Sequence, residues 1–430
     1  MSKRHLDDSD EGGQSKRKAK RLVDDEEVEI RRLQYPLVSD PRRSTHSVPF
    51  QQPSSLLTFS YSPSRVLQFD DSALRYYVEP PPNADLNYGY DRWIRKREEK
   101  GRLDGLLRAV CRLVDRNGIK WLQDIGIVSW RGVMTKILTA PYEEREGWEL
   151  NVMFVNGTYY FEEHASEAKL REKEDITQKH RIRMYYGYAF ESYCSSDSPN
   201  GRKNYTNSRD VSGWGGDVDT NVQWCSVVKT KLGDTRLVIG GEVDCVRGQF
   251  NGKTDNFVEL KTSIVIRNAF DETKFEKKLL KFYFQSFLLG VPEIIVGFRT
   301  PSGQLRTVQK FQTIQIPRMV RNKPGAWDPQ ISLDWGNNFI AFLKSRIDAS
   351  ELSLGNKPRV WRVVFKPREG ITASLLDDQG VQEVQSGEER FGFLPNWYAE
   401  ELRAKMNRSA SGPREVLSTS TAPLASGWQI

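Results

Sequence analysis

The stretch that most constrains this 430-residue chain is Gly240-Gly241-Glu242-Val243-Asp244-Cys245, followed closely by Phe257-Val258-Glu259-Leu260-Lys261-Thr262-Ser263. Both segments read as neighbouring β-strands, and successive strand side chains point to opposite faces. Glu242 and Asp244 are therefore expected to share one face of the first strand, and Glu259 and Lys261 one face of the second. Three carboxylates and a lysine among Phe257, Val258 and Leu260 are costly to bury unless something compensates them. A hard divalent cation bound by carboxylate oxygens, Mg²⁺ or Mn²⁺, does so. A sheet surface on which Lys261 simply neutralises Glu259 is the commoner arrangement for an E-x-K strand, but the E-x-D pair upstream weighs against it.

An acidic strand followed by a strand carrying E-x-K resembles the PD-(D/E)-x-K nuclease superfamily. The chemistry explains the residue types. Carboxylates hold metal ions against a phosphate, and the metals polarise the phosphoryl group and acidify a bound water. The lysine orients that water or stabilises charge developing on the phosphate oxygens.

The charge balance suits such a substrate. Lys and Arg number 64 against 57 Asp and Glu, a net +7 with a pI near 9.0, which accords with a polyanionic partner. Cys111, Cys194, Cys225 and Cys245 lie far apart with no C-x-x-C pair, which argues against zinc and fits a reducing intracellular compartment. No run approaches the roughly 18 apolar residues of a membrane span, and the first residues are too charged for a signal peptide, so a soluble protein is expected.

Along the chain, residues 1–29 are charged and nearly free of apolar side chains, a composition that cannot offset the entropy of ordering. Within them Lys3-Arg4 and Lys16-Arg17-Lys18-Ala19-Lys20-Arg21 have the arrangement of a bipartite nuclear-import signal, ahead of an acidic run from Asp24 to Glu27. Residues 30–407 are expected to form one domain, with order fading over the Ser/Thr-rich 408–430. Leu103, Leu106, Leu107, Val110, Cys111 and Val114 recur at helical spacing before Gly118. Strands are expected at 125–130 and 133–139, with Arg131-Gly132 at their junction able to offer a planar fork to a phosphate. A hairpin turns at Asn156-Gly157 and a second at Gly233-Asp234. Residues 165–192 read as helix, with Tyr188 and Glu191 on one face, so that Glu191 is either a fourth metal ligand or an exposed helix-end glutamate. A helix over 271–289 buries Leu279, Leu280, Tyr283 and Phe287 and sets Lys278, Lys281 and Gln285 on an adjoining polar face.

Taken together, W-R-G around Arg131, G-Y-A-F-E ending at Glu191, N-V-Q-W-C ending at Cys225, G-E-V-D-C, F-V-E-L-K-T-S, and the run from Phe284 to Arg299 resemble the DXO family of RNA 5′-end decapping nucleases. The resemblance extends from about Leu56 to F-G-F-L-P-N-W-Y at residues 391–398. It implies a mixed α+β fold of two mixed β-sheets flanked by helices, with the active site in the cleft between them. It further implies that Glu191, Asp244, Glu259 and the Leu260 carbonyl hold one metal, and Glu242 with Asp244 a second. Lys261 and Gln285 then contact the scissile phosphate and its attacking water, and Trp130, Arg131, Gly132 and Cys225 line the path of the RNA 5′ end. The implied reactions are hydrolysis of incomplete caps, 5′-triphosphates and NAD caps. With the basic tail, the resemblance points to the fungal nuclear member, a monomer that joins the nuclear 5′-to-3′ exoribonuclease as a heterodimer. A non-catalytic partner of that exoribonuclease with a vestigial site is the competing reading; intact charges at all five acidic and basic positions argue against it. A DNA-processing nuclease of the superfamily accounts for the two acidic strands but not for the other segments.

Overall fold

A computed structural model describes residues 32–36, 47–201, 211–347 and 357–410. The basic clusters and acidic run of the first 29 residues, and the chain from 411 onward, lie outside the described residues.

Two mixed sheets carry the fold, as expected. The larger has ten strands in the order Arg32–Leu33, Gly370–Leu375, Trp361–Lys366, Trp148–Val155, Thr158–Glu163, Ile127–Trp130, Thr235–Glu242, Gln223–Leu232, Ser54–Tyr61 and Leu67–Gln68. The smaller has six, ordered Leu305–Gln312, Glu293–Arg299, Phe257–Ile264, Cys245–Val246, Tyr76–Tyr77 and Ser195–Ser196. Local chemistry fixes several registers. Asn156 and Gly157 take φ of 54° and 91°, the paired left-handed conformations of a two-residue hairpin, and so set Val155 opposite Thr158.

Strand alternation distributes the side chains over three cores. On the large sheet Ile127, Leu237 and Ile239 point into a central core, where they meet Phe257, Ile294 and Val296 of the small sheet and the helix Ala269–Leu289. Their neighbours Val128 and Val238 point the other way, against the helices Asp104–Asn117 and Asn396–Ala410. On the small sheet Cys245, Val258, Leu260 and Ile295 pack outward on the helix Gln178–Tyr193. The long helix Ala269–Leu289 is well terminated: the Asn268 side chain accepts from the Asp271 N–H at 3.0 Å, and Gly290 closes it at φ 72°. No described helix is long and apolar enough to cross a membrane.

Three expectations need correction. Residues 133–139 are not a strand but the body of a helix, Arg131–Thr139. Its Val133, Met134, Ile137 and Leu138 are buried at one-and-four spacing in the central core, so tertiary packing overrides the β-branched composition. The segment 165–192 forms two helices, Glu167–Glu174 and Gln178–Tyr193, because the Thr177 side chain accepts from the His180 N–H and starts a new helix. Finally, Glu242 and Asp244 do not share one continuous strand. Thr235–Glu242 ends in the large sheet and Cys245–Val246 begins in the small one, so the chain changes sheets between them.

Candidate active site

That change of sheet makes the site. Glu242 is the last residue of its strand, paired with Cys225, and Val243, buried in the central core, donates its N–H to the Trp224 carbonyl at 3.0 Å. Two residues later Cys245 pairs with Val258 on the E-x-K strand. Asp244 sits at the seam, and its Oδ2 accepts the Leu260 N–H at 2.6 Å. The carboxylates thus converge because the backbone crosses over, not because of period-two alternation.

Two glycines allow the close packing behind this seam. A Cβ at Gly240 would come within 2.8 Å of the Trp130 ring, and one at Gly241 within 2.9 Å of both the Arg131 Cβ and the Leu289 Cδ1. The start of the helix Arg131–Thr139 therefore lies directly on the acidic strand. From there Arg131 reaches the small sheet, donating from Nη1 to the Glu259 Oε2 at 2.8 Å. Lys261 Nζ donates to the other oxygen, Oε1. Glu259, fully buried, is thus held by two cations at once.

The electrostatics divide the four carboxylates into two kinds. Burial foremost, then the charges of Asp244 and Glu242, pushes Glu191 well above the usual carboxylate range. Asp244 is pushed up to about 7 by burial and the neighbouring Glu259. Glu242 is also raised by burial, against a 2.8 Å hydrogen bond from Gln223 Nε2. For Glu259 burial is again the largest influence, but Arg131 and Lys261 together outweigh it and hold the carboxyl below its usual range. Arg131 and Lys261 are raised in turn, Glu259 overcoming the burial that would lower each.

Glu191, Glu242 and Asp244 keep part of their surface on a cavity of about 520 Å³. Its walls come from the helix bearing Met184, Tyr188 and Glu191, from residues 93–99, and from residues 215–224. Tyr188 and Glu191 do share a face, and Tyr188 lies 5.7 Å from the Trp93 ring. Several contributors carried no signal in the sequence. Gln223 links Glu242 to Arg65, whose Nη1 donates to the Gln223 Oε1 at 2.6 Å; this contact depends on a 158-residue separation. Trp93, Arg95, Lys96 and Arg97 belong to a charged stretch that only the tertiary fold lays across the cavity.

The remaining expected residues are less uniformly placed. Trp130 is tied by its indole N–H to the Arg102 carbonyl at 2.9 Å and supports Gly240. Gly132 is exposed, with open space where a Cβ would stand. Cys225 is buried opposite Glu242, and burial raises its thiol far out of the reactive range. Gln285 lies a turn before the end of the long helix, half-buried, and makes no side-chain hydrogen bond among the described residues.

Among the described residues no three acidic, histidine or cysteine side chains are gathered into a ready-made metal cage. Glu259 is engaged by Arg131 and Lys261, Glu242 by Gln223 and Asp244 by the Leu260 N–H. The donor chemistry nevertheless fits hard divalent cations. All donors are oxygens, and the buried carboxylates raise one another's pKa, a repulsion that divalent charge relieves.

A fold of two mixed sheets with E-x-D and E-x-K carboxylates buried at their seam defines a PD-(D/E)-x-K nuclease. The chain belongs to the RAI1-like PD-(D/E)XK nuclease family, whose profile matches residues 51–399, and it is a hydrolase of that family. It is 36% identical over 439 residues to the decapping nuclease RAI1 of Mycosarcoma maydis, covering 80% of this chain and 86% of that protein. It is 36% identical over 377 residues to the decapping and exoribonuclease protein of Mus musculus, covering 84% and 88%. A crystal structure of Candida albicans Rai1 in complex with pU5 and Mn²⁺ superposes with a TM-score of 0.73 at 25% identity, covering 87% of this chain and 99% of that one.

Proposed function

We propose that this protein hydrolyses the 5′ ends of RNA, removing incomplete caps, pyrophosphate from 5′-triphosphates, and NAD caps. The observation that carries the reading is the set of carboxylates brought from one helix, the end of a large-sheet strand and the crossover between the sheets, Glu191, Glu242 and Asp244, onto a single cavity with cations on its walls. The relatives named as decapping nucleases and the neighbour bound to pU5 and Mn²⁺ support it. Glu191, Glu242, Asp244, Glu259 and the Leu260 carbonyl would hold two divalent cations, Mg²⁺ or Mn²⁺. When bound, these would polarise the scissile phosphoryl group and acidify a water for in-line attack.

The protein's own groups do the rest. Arg131 and Lys261 hold Glu259 ionised in a dry setting, so that a ligand carboxylate is ready at neutral pH. Once those cations turn from Glu259 to substrate, they place two positive charges where phosphate oxygens gain charge. Gln223 orients Glu242, and Gln285, close in sequence to the end of the helix packed on Arg131–Thr139, is assigned to the scissile phosphate. Trp130, Arg131, Gly132 and Cys225 are assigned to the RNA path beside Glu242.

We further assign residues 30–407 to one nuclease domain, the basic tail to nuclear import, and a partnership to the nuclear 5′-to-3′ exoribonuclease. The test is product analysis on RNAs bearing 5′-triphosphate, unmethylated cap, methylated cap and NAD ends, with a pull-down of the exoribonuclease from the same preparation. Release of pyrophosphate, cap dinucleotide or nicotinamide-containing product supports the enzyme reading. Partner capture with every 5′ end left intact would establish the non-catalytic alternative.

A further inference from the structure

We propose that Lys96 is a substrate-phosphate residue, binding a phosphate that adjoins the scissile one in RNA; the inference rests on the reading of the cavity as the RNA-processing site. Lys96 lines the same cavity as Glu191, Glu242 and Asp244. Its backbone is fixed there. The Lys96 N–H donates to the Thr220 Oγ1 at 2.8 Å, and the flanking Ile94 N–H donates to the Val218 carbonyl at 2.9 Å while its carbonyl accepts the Thr220 N–H at 3.0 Å.

Three of the neighbouring cations are already engaged, while Arg97, on the same wall, is exposed. Arg95 pairs with Glu174 at 3.0 Å and with Glu98 at 3.2 Å, and Arg75 donates to the Gly215 carbonyl at 2.7 Å. Arg65 is committed to Gln223 and the Asn221 carbonyl and lies over the Tyr61 ring at 3.8 Å. Lys96, by contrast, is only partly exposed, yet its ammonium makes no ion pair or hydrogen bond among the described residues. Burial and the charge of Arg65 both work against its protonated form, with Glu99, Glu242 and Glu98 opposing them. A desolvated lysine beside a second cation, held by a pinned backbone over a cavity, is a state that an incoming anion relieves. The anion this cavity is built to receive carries phosphates on both sides of the bond to be cut. One source is the polyphosphate extension at the 5′ end, and the other is the next internucleotide phosphate.

The experiment compares the parent, Lys96→Met and Lys96→Arg on 3′-labelled RNA with a 5′-triphosphate between 50 and 200 mM salt, with anisotropy binding to that RNA in chelator and to the same RNA carrying a 5′-hydroxyl. Loss of one charge-assisted contact made equally before and during the reaction should raise KM roughly tenfold or more in Lys96→Met and leave kcat nearly unchanged. The slope of log affinity against log salt should flatten by about 0.7, one phosphate contact on a single strand. Lys96→Arg should restore most of both, and the melting temperature should not fall. Weaker binding to the 5′-hydroxyl RNA assigns the contact to the internucleotide phosphate; a defect confined to triphosphate RNA assigns it to the 5′ extension. An unchanged KM and salt slope, or a kcat loss that arginine does not rescue, overturns the proposal. A parent enzyme that leaves 5′ ends intact refutes the decapping reading separately, and the anisotropy measurement still decides Lys96.

Discussion

Replacing Glu259 with Gln and, separately, Glu191 with Gln should produce the same catalytic defect but opposite changes in stability without metal. Both substitutions keep the side chain's size and remove one proposed metal-binding charge, so hydrolysis should fall by about 10²-fold or more in each. In the metal-free protein the two positions differ. Glu259 is the buried anion that Arg131 and Lys261 share, and it is the one site carboxylate held below its usual range. Removing one partner of a buried ion pair costs about 3–5 kcal/mol. Asp244, pushed up to about 7, can ionise near neutral pH and take over part of the countercharge, which favours the lower end of that range.

At about 2.1 cal/mol/K of unfolding entropy per residue, about 3 kcal/mol lowers Tm by roughly 4 °C in a domain of about 350 residues. Glu191 behaves the other way. Its folded pKa is raised, so the stability it contributes is present below its unfolded pKa and lost as pH rises through the folded value. At pH 8, Glu191→Gln removes that loss and should leave Tm unchanged or higher. The assay is calorimetry in chelator at pH 8 alongside decapping rates in Mg²⁺. A metal-free Glu259→Gln protein that melts at or above the parent would refute the account of Arg131 and Lys261. Parental hydrolysis by that variant would refute the catalytic assignment.

Gly241→Ala puts a methyl 2.9 Å from the Arg131 Cβ and the Leu289 Cδ1 and should destabilise by about 1–3 kcal/mol while lowering kcat; retained stability and activity would show that the helix start tolerates displacement. Glu162 is buried, paired through Oε1 with Arg102 at 2.8 Å while Oε2 has no hydrogen-bond partner among the described residues, and burial pushes it up to about 7. Because that pKa is raised on folding, stability should decline between about pH 4.5 and 7, and Glu162→Gln should flatten the decline; an unchanged slope in denaturant titrations across that window would count against it. Hydrolysis should require Mg²⁺ or Mn²⁺ and fail in Ca²⁺, whose larger and more flexible coordination aligns displacement poorly; full turnover in chelator would end the metal reading.

Much of this protein was legible from residue order, because its decisive features are local. The hairpin at Asn156-Gly157, the E-x-K strand and the long helix through Gln285 each follow from turn chemistry, period-two alternation or helical spacing, whereas the pair Glu242 and Asp244 was visible as residues but converges through the change of sheet. The two-sheet class was implied by the family resemblance, and the structure bears it out. What residue order could not decide was where local preference yields to packing. The helix Arg131–Thr139 reads as a strand until Gly240 and Gly241 let it pack on the acidic strand. The same holds for charge: Arg131 and Glu259 are 128 residues apart, and Gln223 and Arg65 158 apart. Burial and long-range pairing set which carboxylate stays ionised and which cation is left for substrate, and only the tertiary structure determines them.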